Sequence, residues 1–120
     1  MAMEITQDVE GGIATLAVSG RIDSTTAGNL QERLTELVSS GSRGLIVDLR
    51  QVGYISSAGF RALLIAAQLG EGTHCSLTLC GVTGEVRRMF EMGAFDQVFT
   101  ILATREECAS HLAAASAGAA

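Results

Sequence analysis

Leu45-Ile46-Val47-Asp48-Leu49 is the segment that most restricts the fold. It is a continuous run rich in branched residues, without the polar alternation of a strand that shows one face to water. Such a strand is buried on both faces, as in the middle of a parallel sheet. Parallel strands need long crossovers, usually helices, and the flanking segments have that form. Before it, Ala27, Leu30, Leu34, Leu37 and Val38 recur at steps of three and four, with Gln31, Glu32, Arg33 and Glu36 opposite. Ser24 or Thr25 is expected to cap this helix, and Gly41 stands where a C-terminal cap belongs. After it, the pattern predicts a loop over Gly53–Ser57 and a helix from about Ala58 to Leu69, apolar nearly all round, ended by Gly70 and Gly72.

The remaining segments alternate in the same way. Glu4–Val9 and Ile13–Val18 flank Glu10-Gly11-Gly12 and read as a hairpin or paired edge strands. Cys75–Cys80 reads as a strand with Cys75, Leu77 and Leu79 on one side. Gly81-Val82-Thr83-Gly84 turns into a short helix, Glu85–Met92, with Val86, Met89 and Phe90 on one face and Gly93 as its stop. Val98–Ile101 is a short strand, and Thr104 to Glu107 forms a capping box for a last helix carrying Cys108 and Leu112. Residues 113–120 are small-residue low complexity and are expected to fray. The order β-β-α-β-α-β-α-β-α predicts an α/β layer sandwich with a mostly parallel central sheet, one domain over 1–120 with its ordered core at about 4–112.

Charge and composition exclude several functions. The net charge is −5 and only 8 of 120 residues are Lys or Arg, which disfavours nucleic acid and anionic membrane. The longest apolar run, Ala62–Ala67, is far short of the roughly 20 residues that span a bilayer. Met1-Ala2-Met3-Glu4 carries no basic-then-apolar leader, so a cytoplasmic protein without membrane insertion is expected. Cys75, Cys80 and Cys108 form an odd set without Cys-x-x-Cys spacing and read as small buried hydrophobes in a reducing compartment. Asp8, Asp23, Asp48 and Asp96 show no metal-site spacing, and no metal or cofactor is expected.

Sites in open α/β sheets gather where strands end and helices begin. Gly20–Ser24, Gly53–Gly59 and Gly81–Gly84 are such junctions. The middle one sets Ser56 and Ser57 at the start of the most apolar helix. Unpaired N–H groups and the helix dipole favour an anion there, so a serine at this point is suited to carry a phosphoryl group. The same hydroxyls could serve only as an N-cap, worth about 1 kcal/mol. A nucleophile elbow would need glycine where Ile55 stands, and the only imidazoles, His74 and His111, fall in a loop entering a strand and on the terminal helix. An enzyme is therefore not expected. Gly81-x-x-Gly84 lacks a following Gly-Lys-Ser/Thr and reads as a turn, with Thr83 as a helix cap.

Leu45–Leu49 together with Tyr54-Ile55-Ser56-Ser57-Ala58-Gly59-Phe60-Arg61-Ala62-Leu63-Leu64 resembles the STAS-domain family of bacterial anti-sigma factor antagonists. Gly20-Arg21-Ile22-Asp23 and Val86-Arg87-Arg88-Met89-Phe90-Glu91 extend the resemblance, which covers about Glu4 to Leu112. The family core is Asp-Ser-Ser-Gly with its first serine as phosphoacceptor. Anchoring on Gly59 places Ser57 at the acceptor, with Ser56 as second choice. Ser56 stands where Asp is common, and Ala58 replaces the second serine. Asp23 matches an acidic position near the acceptor in the family.

The resemblance implies partner switching. The unphosphorylated chain binds an anti-sigma factor that is also a serine/threonine kinase and frees the sigma factor. Phosphorylation at Ser57, with ATP and Mg²⁺ held by the kinase, prevents binding, and a phosphatase resets the switch. The implied partner surface comprises Gly20, Asp23, Ser24, Thr25, Tyr54, Ser56, Ala58, Gly59, Phe60 and Arg61. Phe60 and Arg61 are candidate anchors, with Phe60 equally suited to the core. The same resemblance admits an interaction subunit of a lipid-transport or stress-sensing complex without sigma-factor control. A small-ligand sensor with a pocket beside Gly53 and Gly81 is a third reading.

Overall fold

The structure is a computed structural model that describes residues 3–118. Strands β1 (Glu4–Glu10) and β2 (Ile13–Ile22) pair antiparallel across Gly11 and Gly12. Both glycines have positive φ, 62° and 81°, as a tight hairpin turn requires. β2, β3 (Gly44–Ile55), β4 (Ser76–Cys80) and β5 (Thr100–Leu102) are mutually parallel, and the sheet order is β1-β2-β3-β4-β5. The crossovers are α1 (Ala27–Val38), α2 (Ser57–Thr73) and α3 (Gly84–Met92), the last followed by a 3₁₀ turn at Phe95–Gln97. α4 (Arg105–Gly118) closes the chain.

The alternation of side chains along the strands assigns the layers. Leu16 and Val18 of β2, Leu45, Val47 and Leu49 of β3, and Leu79 of β4 share one core with Leu30 and Leu34 of α1, Leu63 and Ala66 of α2, and Val86 and Phe90 of α3. Ile46 and Cys80 point the other way and pack with Cys108 and Leu112 of α4. Three helices therefore cover one face and α4 part of the other, and β3 is buried on both, as its composition predicts. Asp48 is the exception inside that run, 4 % exposed. It accepts from the Arg50 N–H at 3.0 Å, from Arg50 Nη2 at 2.9 Å and from Arg105 Nε at 2.7 Å. A buried carboxylate survives when its lone pairs are so filled, and this one ties the start of α4 to β3.

Boundaries differ from the sequence pattern in several places, among them β2, which runs past Val18 to Ile22, and α1, whose C-cap is Ser39 and not Gly41. β3 continues through Gly53 and Tyr54, where a loop is expected, because two register irregularities let it stay paired with β2 to Ile55. α2 passes Gly70 and Gly72 and ends at His74, whose φ of 60° makes a left-handed cap. Gly70 is a contact residue and not a stop: a Cβ there would lie 2.2 Å from the Cys75 carbonyl oxygen. β5 starts at Thr100, since Phe95–Gln97 winds into the 3₁₀ turn and leaves Val98 exposed. The N-cap of α1 is Thr26, one residue beyond Ser24 and Thr25, and it makes no side-chain cap bond.

Half of the Thr104 capping box forms: the Glu107 N–H donates to Thr104 Oγ1 at 3.1 Å, while the Glu107 carboxylate accepts from the Thr104 hydroxyl at 3.4 Å and not from its N–H. Thr83 occupies the N-cap of α3 without a side-chain cap bond. All three cysteines are buried free thiols. α4 is helical to Gly118 across the segment expected to fray, whose last two positions, 119–120, lie outside the described residues.

Candidate functional site

The C-terminal ends of β2 and β3 and the first turn of α2 meet at one point. The Ser56 N–H donates to the Ile22 carbonyl at 2.8 Å, one residue past the Ile22–Ile55 pair. Ser56 is extended, at φ −89° and ψ 172°, and its Oγ accepts from the Gly59 N–H at 3.3 Å. Ser56 is thus the N-cap of α2, and its half-buried hydroxyl is already engaged. Ser57 is the first helical residue and is exposed. The two hydroxyls that the sequence sets side by side have different occupations: one holds the helix start and the other is free at the surface.

Gly59 makes this junction tight. A Cβ on it would lie 2.6 Å from Ile22 Cγ2 and 2.7 Å from Ile55 Cγ1, so only glycine lets the helix sit on both strand ends. Phe60 is 5 % exposed. Its ring meets Phe90 edge-on at 4.7 Å and stacks on Phe95 at 4.3 Å. Gly59 and Phe60 are both buried and fix the helix from beneath, Phe60 in the core position that the sequence leaves open beside the anchor role. Arg61, one residue on, is exposed, and Ala58 is half-buried.

The β2–α1 loop forms the adjoining wall. Asp23 Oδ1 accepts from the Thr25 N–H at 2.9 Å and from the Thr25 hydroxyl at 2.7 Å. The Asp23 N–H donates to Thr26 Oγ1 at 2.9 Å, and the Thr26 hydroxyl donates to the Arg21 carbonyl at 3.1 Å. The Thr25 hydroxyl, with the backbone N–H groups, holds the Asp23 carboxyl below the usual carboxylate range. Arg21 lies over the Tyr54 ring, 4.2 Å from its centroid, with Nε 3.8 Å from Asp23 Oδ2. Gly20 takes φ 98° at the register shift that turns the strand end. Ser24 and Thr25 are exposed. Gly20, Asp23, Ser24, Thr25, Tyr54, Ser56, Ser57, Ala58 and Arg61 are thereby gathered on one end of the sheet.

The arrangement offers a hydroxyl at an anion-favouring helix start, and neither imidazole is beside it. His74 caps the opposite end of α2, and His111 lies on α4, across the sheet. Among the described residues no group of three or more His, Cys, Asp or Glu could hold a metal ion. None of their helices is long and apolar enough to cross a membrane.

Two cavities lie away from Gly53 and Gly81. One of about 460 Å³ lies at the other end of the parallel strands, near Arg43, His74 and Thr100, and one of about 540 Å³ lies along the outer face of α1. Gly81 is close to Arg50, whose Cβ would be 2.8 Å from a Cβ at that position. Sequence reasoning missed Thr26, which organises the loop, and the Arg21–Tyr54 stack. The Asp23-x-x-Thr26 spacing is the signal that could have shown the first; the second depends on strand register.

Residues 4–108 match the STAS domain family. A Bordetella bronchiseptica protein, BtrV, named for a role as anti-sigma factor antagonist, is 32% identical over 108 residues, covering 90% of this chain and 93% of that protein. The crystal structure of an anti-sigma factor antagonist from Mycobacterium paratuberculosis superposes with a TM-score of 0.83 at 22% identity, over 92% of this chain and 94% of the other. The Bacillus cell fate determinant SpoIIAA in its phosphorylated form superposes with a TM-score of 0.68 at 15% identity, over 92% and 99%.

Proposed function

This chain belongs to the STAS-domain family, and from that premise we propose that it is an anti-sigma factor antagonist working by partner switching, with Ser57 as phosphoacceptor. The observation that carries the reading is the division of labour at the start of α2: Ser56 is the cap, and Ser57 is exposed beside it. The naming of BtrV supports the role, and the phosphorylated form of a protein with the same fold supports the chemistry.

In its unphosphorylated form the chain presents Arg61, Ala58, Tyr54 and the Gly20–Thr25 loop to an anti-sigma factor that is also a serine/threonine kinase, and the sigma factor is released. The kinase then transfers the γ-phosphoryl group of ATP. The Ser57 Oγ–P bond forms as the bond to the β-phosphate breaks, ADP leaves, and the hydroxyl proton passes to a base of the kinase. The phosphate adds roughly −1.5 to −2 charge at pH 7. It repels acidic partner groups and resists desolvation in the contact. A phosphatase restores the hydroxyl. The catalytic groups belong to these partners, and the bacterial cytoplasm is the compartment in which the cycle runs.

Incubation with the cognate kinase and ATP, followed by peptide mass spectrometry, tests the assignment. Phosphate on Ser57, lost in Ser57→Ala and kept in Ser56→Ala, is expected. Phosphate on Ser56, or on neither serine, contradicts it.

A further inference from the structure

We propose that Arg61 is the internal counter-ion of a phosphate on Ser57, an inference that rests on the reading of Ser57 as phosphoacceptor. All eight basic residues of the chain are arginines. Six of them have side-chain partners: Arg21, Arg33, Arg50, Arg87, Arg88 and Arg105 each make a hydrogen bond or an ion pair. Arg43 and Arg61 make none among the described residues. Arg43 precedes β3, at the end of the sheet opposite Ser57. Arg61 lies one helical turn after Ser57 on α2, and both are exposed.

Residues four apart on a helix are neighbours, about 5–6 Å between Cβ atoms, and an acid placed N-terminal to its base is the better order. Helical side chains lean toward the N-terminus, so position 61 is the one from which a long side chain reaches back over Ser57. A guanidinium grips phosphate oxygens in pairs, which an ammonium does not. In the adjoining β2–α1 loop Arg21 and Asp23 are ion-paired to each other at 3.8 Å, with Arg21 also stacked on Tyr54; at the same end of the sheet the starts of α3 and α4 carry Glu85, Arg87, Arg88, Arg105, Glu106 and Glu107, and these three arginines are already engaged. Ser56 stands in place of the carboxylate common there in the family, so the residue preceding the acceptor carries no negative charge that would compete for Arg61. One modification then has two effects: it adds negative charge and occupies the free cation that the unphosphorylated surface offers.

The test uses the full chain with phosphoserine installed at position 57 during translation, titrated by ³¹P NMR as wild type, Arg61→Gln and Arg61→Lys. Wild type is expected to show the lower second phosphate pKa, by about 0.2–0.7 unit against Arg61→Gln, roughly 1.5- to 5-fold in proton affinity. Arg61→Lys should fall between them, and the difference should shrink in 1 M salt. Arg61 is exposed, so its variants are expected to keep the wild-type unfolding curve. Identical titrations of wild type and Arg61→Gln overturn the proposal. The installed phosphate makes this readout independent of any kinase, whereas mapping the kinase product tests the acceptor itself, so the two readings fail in different experiments.

Discussion

The backbone N–H of Ser56 donates to the carbonyl of Ile22 at 2.8 Å, carrying the β2–β3 pairing past the last strand residues. The start of α2 is thereby a continuation of the sheet. Because the strand leads straight into the N-cap, the following hydroxyl, Ser57, is held at a defined height above the strand ends. A phosphate there would change a rigid surface locally, without a rearrangement to transmit it.

Ser56→Ala and Ser57→Ala should separate cap from acceptor. Removing the Ser56 side chain leaves the Gly59 N–H without its 3.3 Å partner and should cost about 1 kcal/mol in urea unfolding. Removing the exposed Ser57 hydroxyl should change stability by less than about 0.5 kcal/mol. Equal losses would mean that the two hydroxyls share the capping role.

Gly59→Ala sets helix propensity against packing. Alanine gains about 1 kcal/mol over glycine in a helix. The added Cβ would meet Ile22 at 2.6 Å and Ile55 at 2.7 Å, and overpacking of this kind costs about 1–3 kcal/mol. A net loss is expected by chemical denaturation. Kinase-dependent phosphorylation should fall too, because the helix start must shift off the strands.

Asp48 should set part of the acid limit of stability. Burial pushes its carboxyl up, and hydrogen bonds from Arg50 and Arg105 outweigh this and hold it below the ordinary value of 3.8. A depressed folded pKa stabilises above the unfolded pKa, and this contribution fades as pH falls through the folded one. Asp48→Asn should cost roughly 1–3 kcal/mol at pH 7 and flatten the fall in stability below about pH 4. An unchanged pH profile in the variant would assign that fall to other carboxylates.

The order of elements was readable because each carries its own period: Leu45–Leu49 demands two covered faces, and the Ala27–Val38 stripe one. What could not be read depends on contacts between distant segments. Gly70 looks like a helix stop until the Cys75 carbonyl beneath it is seen. Tyr54 looks like a loop residue because the register shifts that keep β3 paired leave no mark in composition. Phe60 suited core or interface equally until Phe90 and Phe95 enclosed it. At the site, the junction and its residue types were legible and the resemblance ranked Ser57 before Ser56, but the assignment of the cap to Ser56 needed the bond from the Gly59 N–H.

The most direct test of partner switching is calorimetric titration of the kinase-type anti-sigma factor with the full chain, at matched salt, with and without phosphate on Ser57. Tight binding of the unphosphorylated chain and of Ser57→Ala is expected. The phosphorylated chain should bind roughly 100-fold more weakly, a difference of about 2.8 kcal/mol. Equal affinity for the phosphorylated and unphosphorylated chains would contradict the mechanism.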